Sequence, residues 1–235
     1  MNNRSDLLRL QEEITLCRRC PRLVRWRERV AREKVRRHAD REYWGRPLPG
    51  FGDPRARLLL VGLAPAAHGG NRTGRMFTGD ESGNWLFRAL HKAGFASQAE
   101  SVDARDGLQL TDCYITAAVR CAPPANKPNA GEFMNCRHYL VQEIRLLENV
   151  RVVVGLGRIG FEGALKAFRD AEKARFDRKP GFTHGATYAS NGITFIASFH
   201  PSQQNTFTGR LTEPMLNAVF RTARRHLHHE GGLTR

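Results

Sequence analysis

Acidic residues are scarce in this chain. Asp and Glu number 23 against 38 Lys and Arg, which leaves a formal net charge of +15 over 235 residues. Such an excess favours a polyanionic partner, most simply nucleic acid, although charge alone does not separate DNA from RNA. Long apolar runs are missing, so no membrane span is expected. The first residues, MNNRSDLLRLQEEITL, lack the charged, apolar and small-residue succession of a secretory signal. The expected location is therefore the cytoplasm. Only 5 cysteines occur, an odd number, and a disulfide framework is not expected in that compartment. Neither G-x-x-x-x-G-K-[ST] nor a clean G-x-G-x-x-G is present, which speaks against nucleoside triphosphate chemistry. There is no repeat and no interdomain linker. One domain spanning 1–235 is expected, with a helical, basic N-terminal segment at 1–45.

What is present is organised around one loop, Gly62 to Gly79, reading GLAPAAHGGNRTGRMFTG. It follows the apolar run 58–61, which has the pattern of a buried parallel strand. After it, Ser82 can cap a helix whose apolar face is Trp85, Leu86 and Leu90, with Gly94 past its end. The loop thus sits at the carboxyl end of a strand, where open α/β sheets bind ligands. It is long for such a connection, and its glycines let backbone approach a ligand closely. A plain glycine-rich surface loop is the weaker reading.

The rest of the chain alternates strands and helices. A helix covers 4–16 and a basic amphipathic helix is expected over 23–42. Strands are expected at 114–119, 150–155 and 193–199, with helices at 131–147, 159–168 and from Thr212 onward. Residues 170–190 and 203–211 read as loops, and Arg221, Arg224 and Arg225 as the exposed face of the last helix. This order implies a three-layer α/β/α fold on a central four-stranded parallel sheet.

Cys17, Cys20, Cys121 and Cys136 stand in the spacing C-x2-C-x100-C-x14-C. A C-x-x-C turn brings two thiolates to one centre. Four thiolates suit either zinc or a [4Fe–4S] cluster, and spacing does not choose between them. Cys113, at a strand start, reads as a small buried hydrophobe.

Three stretches carry a resemblance: GLAPAAHGGNRTGRMFTGD (62–80), YITAAVRCAPPANKP (114–128) and SFHPSQQNTFTGRLT (198–212). With the four cysteines, they make the chain similar to the uracil-DNA glycosylase superfamily, most closely its family-five (type B) branch. The resemblance spans nearly the whole chain. It implies a glycosylase fold, a [4Fe–4S] cluster rather than zinc on the four cysteines, and excision of uracil from DNA. Relatives in commoner branches carry Asp, Asn or Glu near the start of the first motif. Here Leu63 to Ala67 offers no side chain able to act as a base, and the family-five pattern places the carboxylate at Asp80.

Breaking a C1′–N1 glycosidic bond makes the sugar cationic and the leaving base anionic. A carboxylate near C1′ and a donor at base O2 serve those two charges. The base must first leave the stack and enter a pocket. Asp80 is the candidate carboxylate; its other reading is a helix N-terminal Asp facing the dipole, and Glu81 is its nearest rival. His200, leaving a strand before Pro201 and Ser202, is the candidate donor. Phe77 can stack on the flipped base. Ala66 lies at the substrate, and Asn126 can read a base edge. Residues 201–210 would enter the DNA minor groove, with Ser202, Gln203, Gln204, Asn205 and Arg210 as DNA contacts and Phe207 as a wedge. His68, Asn71 and Asn84 lie in or beside the first motif without an assigned role.

The expected substrate is double- or single-stranded DNA containing uracil or another deaminated base such as hypoxanthine. The expected protein is a monomer without membrane contact. No motif places a lysine for Schiff-base chemistry, so lyase activity is not expected. The alternative from a different class is an iron–sulfur protein that binds uracil-containing DNA with little catalysis.

Overall fold

A computed structural model describes residues 3–229. The elements run α1 (Asn3–Leu16), α2 (Pro21–Glu33), β1 (Phe51–Gly52), β2 (Leu58–Gly62), α3 (Gly70–Thr73), α4 (Glu81–Lys92), β3 (Cys113–Ala117) and α5 (Ala130–Leu146). There follow β4 (Val152–Leu156), α6 (Gly157–Asp170), β5 (Thr187–Ser190), β6 (Ile193–Ser198), α7 (Gln203–Phe207) and α8 (Glu213–His229). Helices cover both faces of one mixed sheet of order β1-β3-β2-β4-β6-β5. Among the described residues no helix is long and apolar enough to cross a membrane.

The four expected strands form the parallel centre, β3-β2-β4-β6. Their residues alternate between two cores. Leu58 and Leu60 of β2 face the side of α4 and α8, with Leu86, Leu90, Leu216 and Phe220. Leu59 and Val61 face the side of α5 and α6, with Leu140, Ile144, Phe161 and Phe168. A strand buried on both faces has no polar alternation, which is why these runs are continuously apolar in the sequence.

The sheet has six strands rather than four. Two short edges, β1 on β3 and β5 on β6, both pair antiparallel. β1 is two residues long, and half of β5 is exposed, so neither carries the apolar run by which a strand is recognised. Helix α2 stops at Glu33 instead of reaching residue 42. Lys34 takes φ 51° while its N–H returns to the Val30 carbonyl, and only a single 3-10 turn at 36–38 follows. The stretch 203–211 contains the short helix α7, and Arg224 is not on the exposed face. Its guanidinium lies 3.8 Å over the Phe95 ring and donates to the Ala93 carbonyl at the end of α4. A cation there meets the carbonyl end of a helix.

One buried ion pair ties β3 to α5. Arg120 (1% exposed) pairs with Glu143 (0% exposed). Glu143 also accepts from Thr116 Oγ1 at 2.6 Å and from the Gly50 N–H at 3.3 Å. The Arg120 carbonyl takes the Leu48 N–H at 2.8 Å. Removing one member of such a pair strands the other charge, at a cost of about 3–5 kcal/mol, whereas removing both costs far less. Glu143→Leu is therefore expected to lower urea-unfolding stability by about that amount. The double change Arg120→Met with Glu143→Leu is expected to recover most of the loss. Additive losses would show that the pair is not the tie.

Candidate active site

The loop after β2 is folded back on α4 by three close approaches. At Gly62 an added Cβ would stand 2.8 Å from the Phe77 ring. At Gly69 it would fall on Asp80 Oδ2, and at Gly83 on the Phe77 carbonyl oxygen. Phe77 itself has φ 52°, an uncommon conformation for a bulky side chain. Arg72 clasps the loop, donating from Nε to the His68 carbonyl at 2.9 Å and from Nη2 to the Gly79 carbonyl at 2.8 Å. The glycines that looked like a ligand cradle are in good part a means of packing this loop against itself.

Asp80, not Ser82, caps α4: its Oδ1 accepts from the Gly83 N–H at 3.1 Å. Burial raises its carboxyl above the ordinary carboxylate value, opposed by the N–H groups of Gly83 and Ser82 and by the Arg72 charge. Glu81 is engaged elsewhere, accepting from Trp85 Nε1 at 3.0 Å and from Asn84 at 3.1 Å. His200 stacks on Phe77 with ring centroids 5.7 Å apart and planes at 30°. Its Cβ lies against Gly157, whose φ of +81° and lack of a side chain make room for it. Burial pushes the His200 imidazolium down to about 4, so the ring is neutral at physiological pH and can donate one N–H.

Phe77 thus sits between the two candidates, its carbonyl against the turn that Asp80 caps and its ring against His200. Asn205 holds the histidine from below, donating to the His200 carbonyl at 2.8 Å. Gln203 and Gln204 are exposed on α7, Ser202 precedes it, and Phe207 is 77% exposed. Arg210 lies 4.8 Å over the Phe199 ring. Ala66 accepts the Asn71 N–H at 3.0 Å within the loop. Asn126 has φ 55° in an exposed turn at 124–126, and its side chain makes no hydrogen bond among the described residues. Among the described residues no hydrogen bond links it to Asp80 or His200.

Several residues of this region were silent or unassigned in the sequence. Tyr43 holds His68, with its hydroxyl 3.1 Å from Nδ1. Asn71 is fully buried and donates to the Arg27 carbonyl at 3.3 Å. His184 Nδ1 accepts the Phe199 N–H at 3.0 Å, bracing the residue before His200. His68, Asn71 and Arg72 share the glycine-rich motif, and that position is the signal that could have singled them out; Tyr43 and His184 carried none.

The four cysteines gather at one corner, where Cys121 and Cys136 are buried with Leu10, Ile14, Leu23 and Tyr139, and Cys17 and Cys20 pack against them. N–H donors reach the sulfurs. Arg27 Nη1 is 2.9 Å from Cys121, the Arg120 N–H 3.3 Å from Cys136, and Asn135 3.6 Å from Cys20. Burial pushes the thiols of Cys121 and Cys136 up to about 11 and about 12, opposed by Arg27 and Arg120 respectively. Among the described residues no three His, Cys, Asp or Glu side chains are arranged to hold a single metal ion. Cys113 lies apart, at the start of β3 and in the core on the side of α4 and α8.

The uracil DNA glycosylase superfamily model matches residues 49–224. The chain is 51% identical over 220 residues to a type-5 uracil-DNA glycosylase of Mycobacterium leprae, covering 92% of this chain and 93% of that one. It is 51% identical over 215 residues to a type-5 uracil-DNA glycosylase of Thermus thermophilus, covering 91% and 95%. A type-4 uracil-DNA glycosylase of Pyrobaculum aerophilum is 32% identical over 199 residues, covering 84% and 83%.

The depressed His200 value makes stability pH-dependent. The unfolded imidazole binds a proton near pH 6.5 and the folded one only near 4, so the folded state is disfavoured as pH falls through that window. Relative to His200→Gln, the parent protein is expected to lose about 3 kcal/mol of unfolding free energy between pH 6.5 and 4. Parallel stability curves for the two proteins would show that the ring is not held neutral.

Proposed function

Because this chain belongs to the uracil-DNA glycosylase superfamily, we propose that it flips uracil out of DNA and hydrolyses its N-glycosidic bond, leaving an abasic site for repair. The observation that carries this reading is the placing of Asp80 and His200 on either side of Phe77. Phe77 offers a ring on which a flipped base stacks. Asp80 serves the sugar, countering positive charge at C1′ and orienting water. His200, neutral, donates to base O2 as negative charge grows there. The segment 63–67 supplies no base-discriminating side chain, and this supports acceptance of other deaminated bases such as hypoxanthine. Duplexes that each carry one lesion test the reading. Free uracil is expected from the uracil duplex, and binding without release of any base would favour a DNA-binding iron–sulfur protein instead.

The same reading gives Cys17, Cys20, Cys121 and Cys136 to a [4Fe–4S] cluster. Support comes from the convergence of the four thiols at one corner and from the N–H groups directed at their sulfurs, a feature of sulfur-ligated centres. When bound, the group would pin α2 to the exit of β3 and to α5.

DNA affinity is given to the outer face of α2. Arg22, Arg25, Arg29 and Arg32 fall on one helical stripe, spanning about 15 Å. They line a groove of about 430 Å³ with Trp26 and Pro124. Arg29 lies 4.7 Å over Trp26. Arg22 also donates to the Lys127 carbonyl at 2.9 Å, which sets the stripe beside the turn bearing Asn126.

Asp80→Asn and His200→Gln are each expected to slow single-turnover release of uracil by roughly 10²–10⁴-fold, the scale of one positioned catalytic group. Glu81→Gln is expected to cleave at the parental rate. A slow Glu81→Gln beside a fast Asp80→Asn would exchange the two carboxylates. A second measurement concerns salt. Each phosphate contact contributes about 0.9 to the slope of log affinity against log salt. Replacing Arg25, Arg29 and Arg32 together by Ala is expected to lower that slope by about 2–3. Replacing Lys166, Arg175 and Arg178, which removes the same charge at and beyond the far end of α6, is expected to leave it unchanged. Equal effects would mean that net charge alone draws the DNA.

A further inference from the structure

Among the described residues three arginines are buried: Arg27, Arg75 and Arg120. Guanidinium keeps its proton wherever it is placed, so each buried arginine needs an anion. Arg75 has Asp106 at 2.5 Å, and Arg120 has Glu143. Arg27 differs. Its side chain is 2% exposed, and the one carboxylate within ion-pair reach among the described residues, Glu28, stands 4.0 Å away. Glu28 is itself engaged by Arg18 at 2.5 Å. What Arg27 does face is the cysteine corner. Its Nη1 donates to Cys121 Sγ at 2.9 Å and its Nη2 to the Cys17 carbonyl at 3.2 Å, while Nε has no partner. A neutral thiol is a weak acceptor and carries no charge to offset the guanidinium; a thiolate does both.

We propose that Arg27 is the counter-charge of the occupied cysteine site, donating to Cys121 as a thiolate and balancing the negative charge by which four thiolates outweigh a positively charged metal core. This rests on the four cysteines being ligands of the cluster proposed above. Arg27 touches none of the reacting atoms, so it is a positioning residue for the site and not a catalytic one.

The test compares Arg27→Met, Arg27→Lys and Arg25→Met with the parent protein. Iron, zinc and sulfide per chain are measured, then the rate of metal loss to a chelator, then thermal midpoints of loaded and metal-stripped protein. Loss of an outer partner of a metal ligand weakens metal binding by roughly 10–100-fold. Arg27→Met is therefore expected to arrive depleted, or to lose metal faster by about that factor. Arg27→Lys should fall between it and the parent, and Arg25→Met, on the exposed face of the same helix, should match the parent. In the stripped state Arg27→Met should melt no lower than the parent, because a buried cation without its anion has been removed. If Arg27→Met keeps the parental metal content and loss rate, the proposal is overturned. Equal destabilisation in the loaded and stripped states would also overturn it, since that marks a packing role. A parent that binds metal while Arg27→Met matches it sinks this proposal alone. A parent that binds neither iron nor zinc sinks the ligand reading and this proposal with it.

Discussion

The fold-back of the loop 62–79 onto α4 is the constraint on which the site depends. Three positions have no space for a Cβ: Gly62 under the Phe77 ring, Gly69 against the Asp80 carboxylate, and Gly83 under the Phe77 carbonyl. A side chain at any of them would move Phe77 or Asp80, the two groups that the loop exists to place. The conformation is costly, since Phe77 holds a positive φ. Its cost is met locally by the Arg72 clasp and by burial of Met76 beneath the loop. Rigidity here is useful chemically. Groups aimed at developing charge act most when they need not reorganise at the moment of reaction.

The cysteine corner and the loop are parts of one assembly. Arg27 meets Cys121 with its guanidinium, and its own carbonyl receives the side chain of Asn71. Asn71 belongs to α3, whose preceding residue Gly69 backs Asp80. Ala64, at the start of the loop, packs directly on the corner. Helix α2 therefore has two faces with separate tasks. The inner face presents Leu23, Arg27 and Val30 to the protein, and the outer one presents an arginine stripe to solvent. Anchoring the inner face fixes where the outer one stands relative to the site.

Much of this was legible in the sequence because the central strands are buried on both faces. Short apolar runs such as 58–61 and 152–154, too short for helices and rich in β-branched or branched residues, read as buried strands. The helices of the two outer layers announced themselves by apolar spacing, and Asp80, Phe77 and His200 lay in motifs at strand ends. What escaped depended on contacts distant in the chain. β5 is an edge strand whose ladder partner is β6, and half of its residues are exposed. Arg224 looked solvated until Phe95 came beneath it. Arg27 was one arginine among several in a basic helix. Its spacing from Leu23 and Val30 puts it on the inner face, but only the packing of α2 shows what it meets there.

Asp80 shows how one residue can satisfy the fold and the chemistry at once. Taken as a cap, it spends Oδ1 on Gly83 and stabilises α4 by meeting unpaired N–H groups. Taken as a catalytic carboxylate, it has to be ionised although it is buried, and burial opposes ionisation. The two demands support each other. The N–H groups it caps and the positive end of the α4 dipole favour the anion, as does the nearby Arg72 charge. A carboxylate earlier in the loop, at 63–67, would have no helix start to hold it charged. Placing the charge at the cap keeps it available in a half-buried site. On the other side stand the Phe77 ring and a neutral His200 stacked on it. In the proposed reaction the anion would then stand on the side where the sugar becomes cationic, and the uncharged donor on the side where the base becomes anionic.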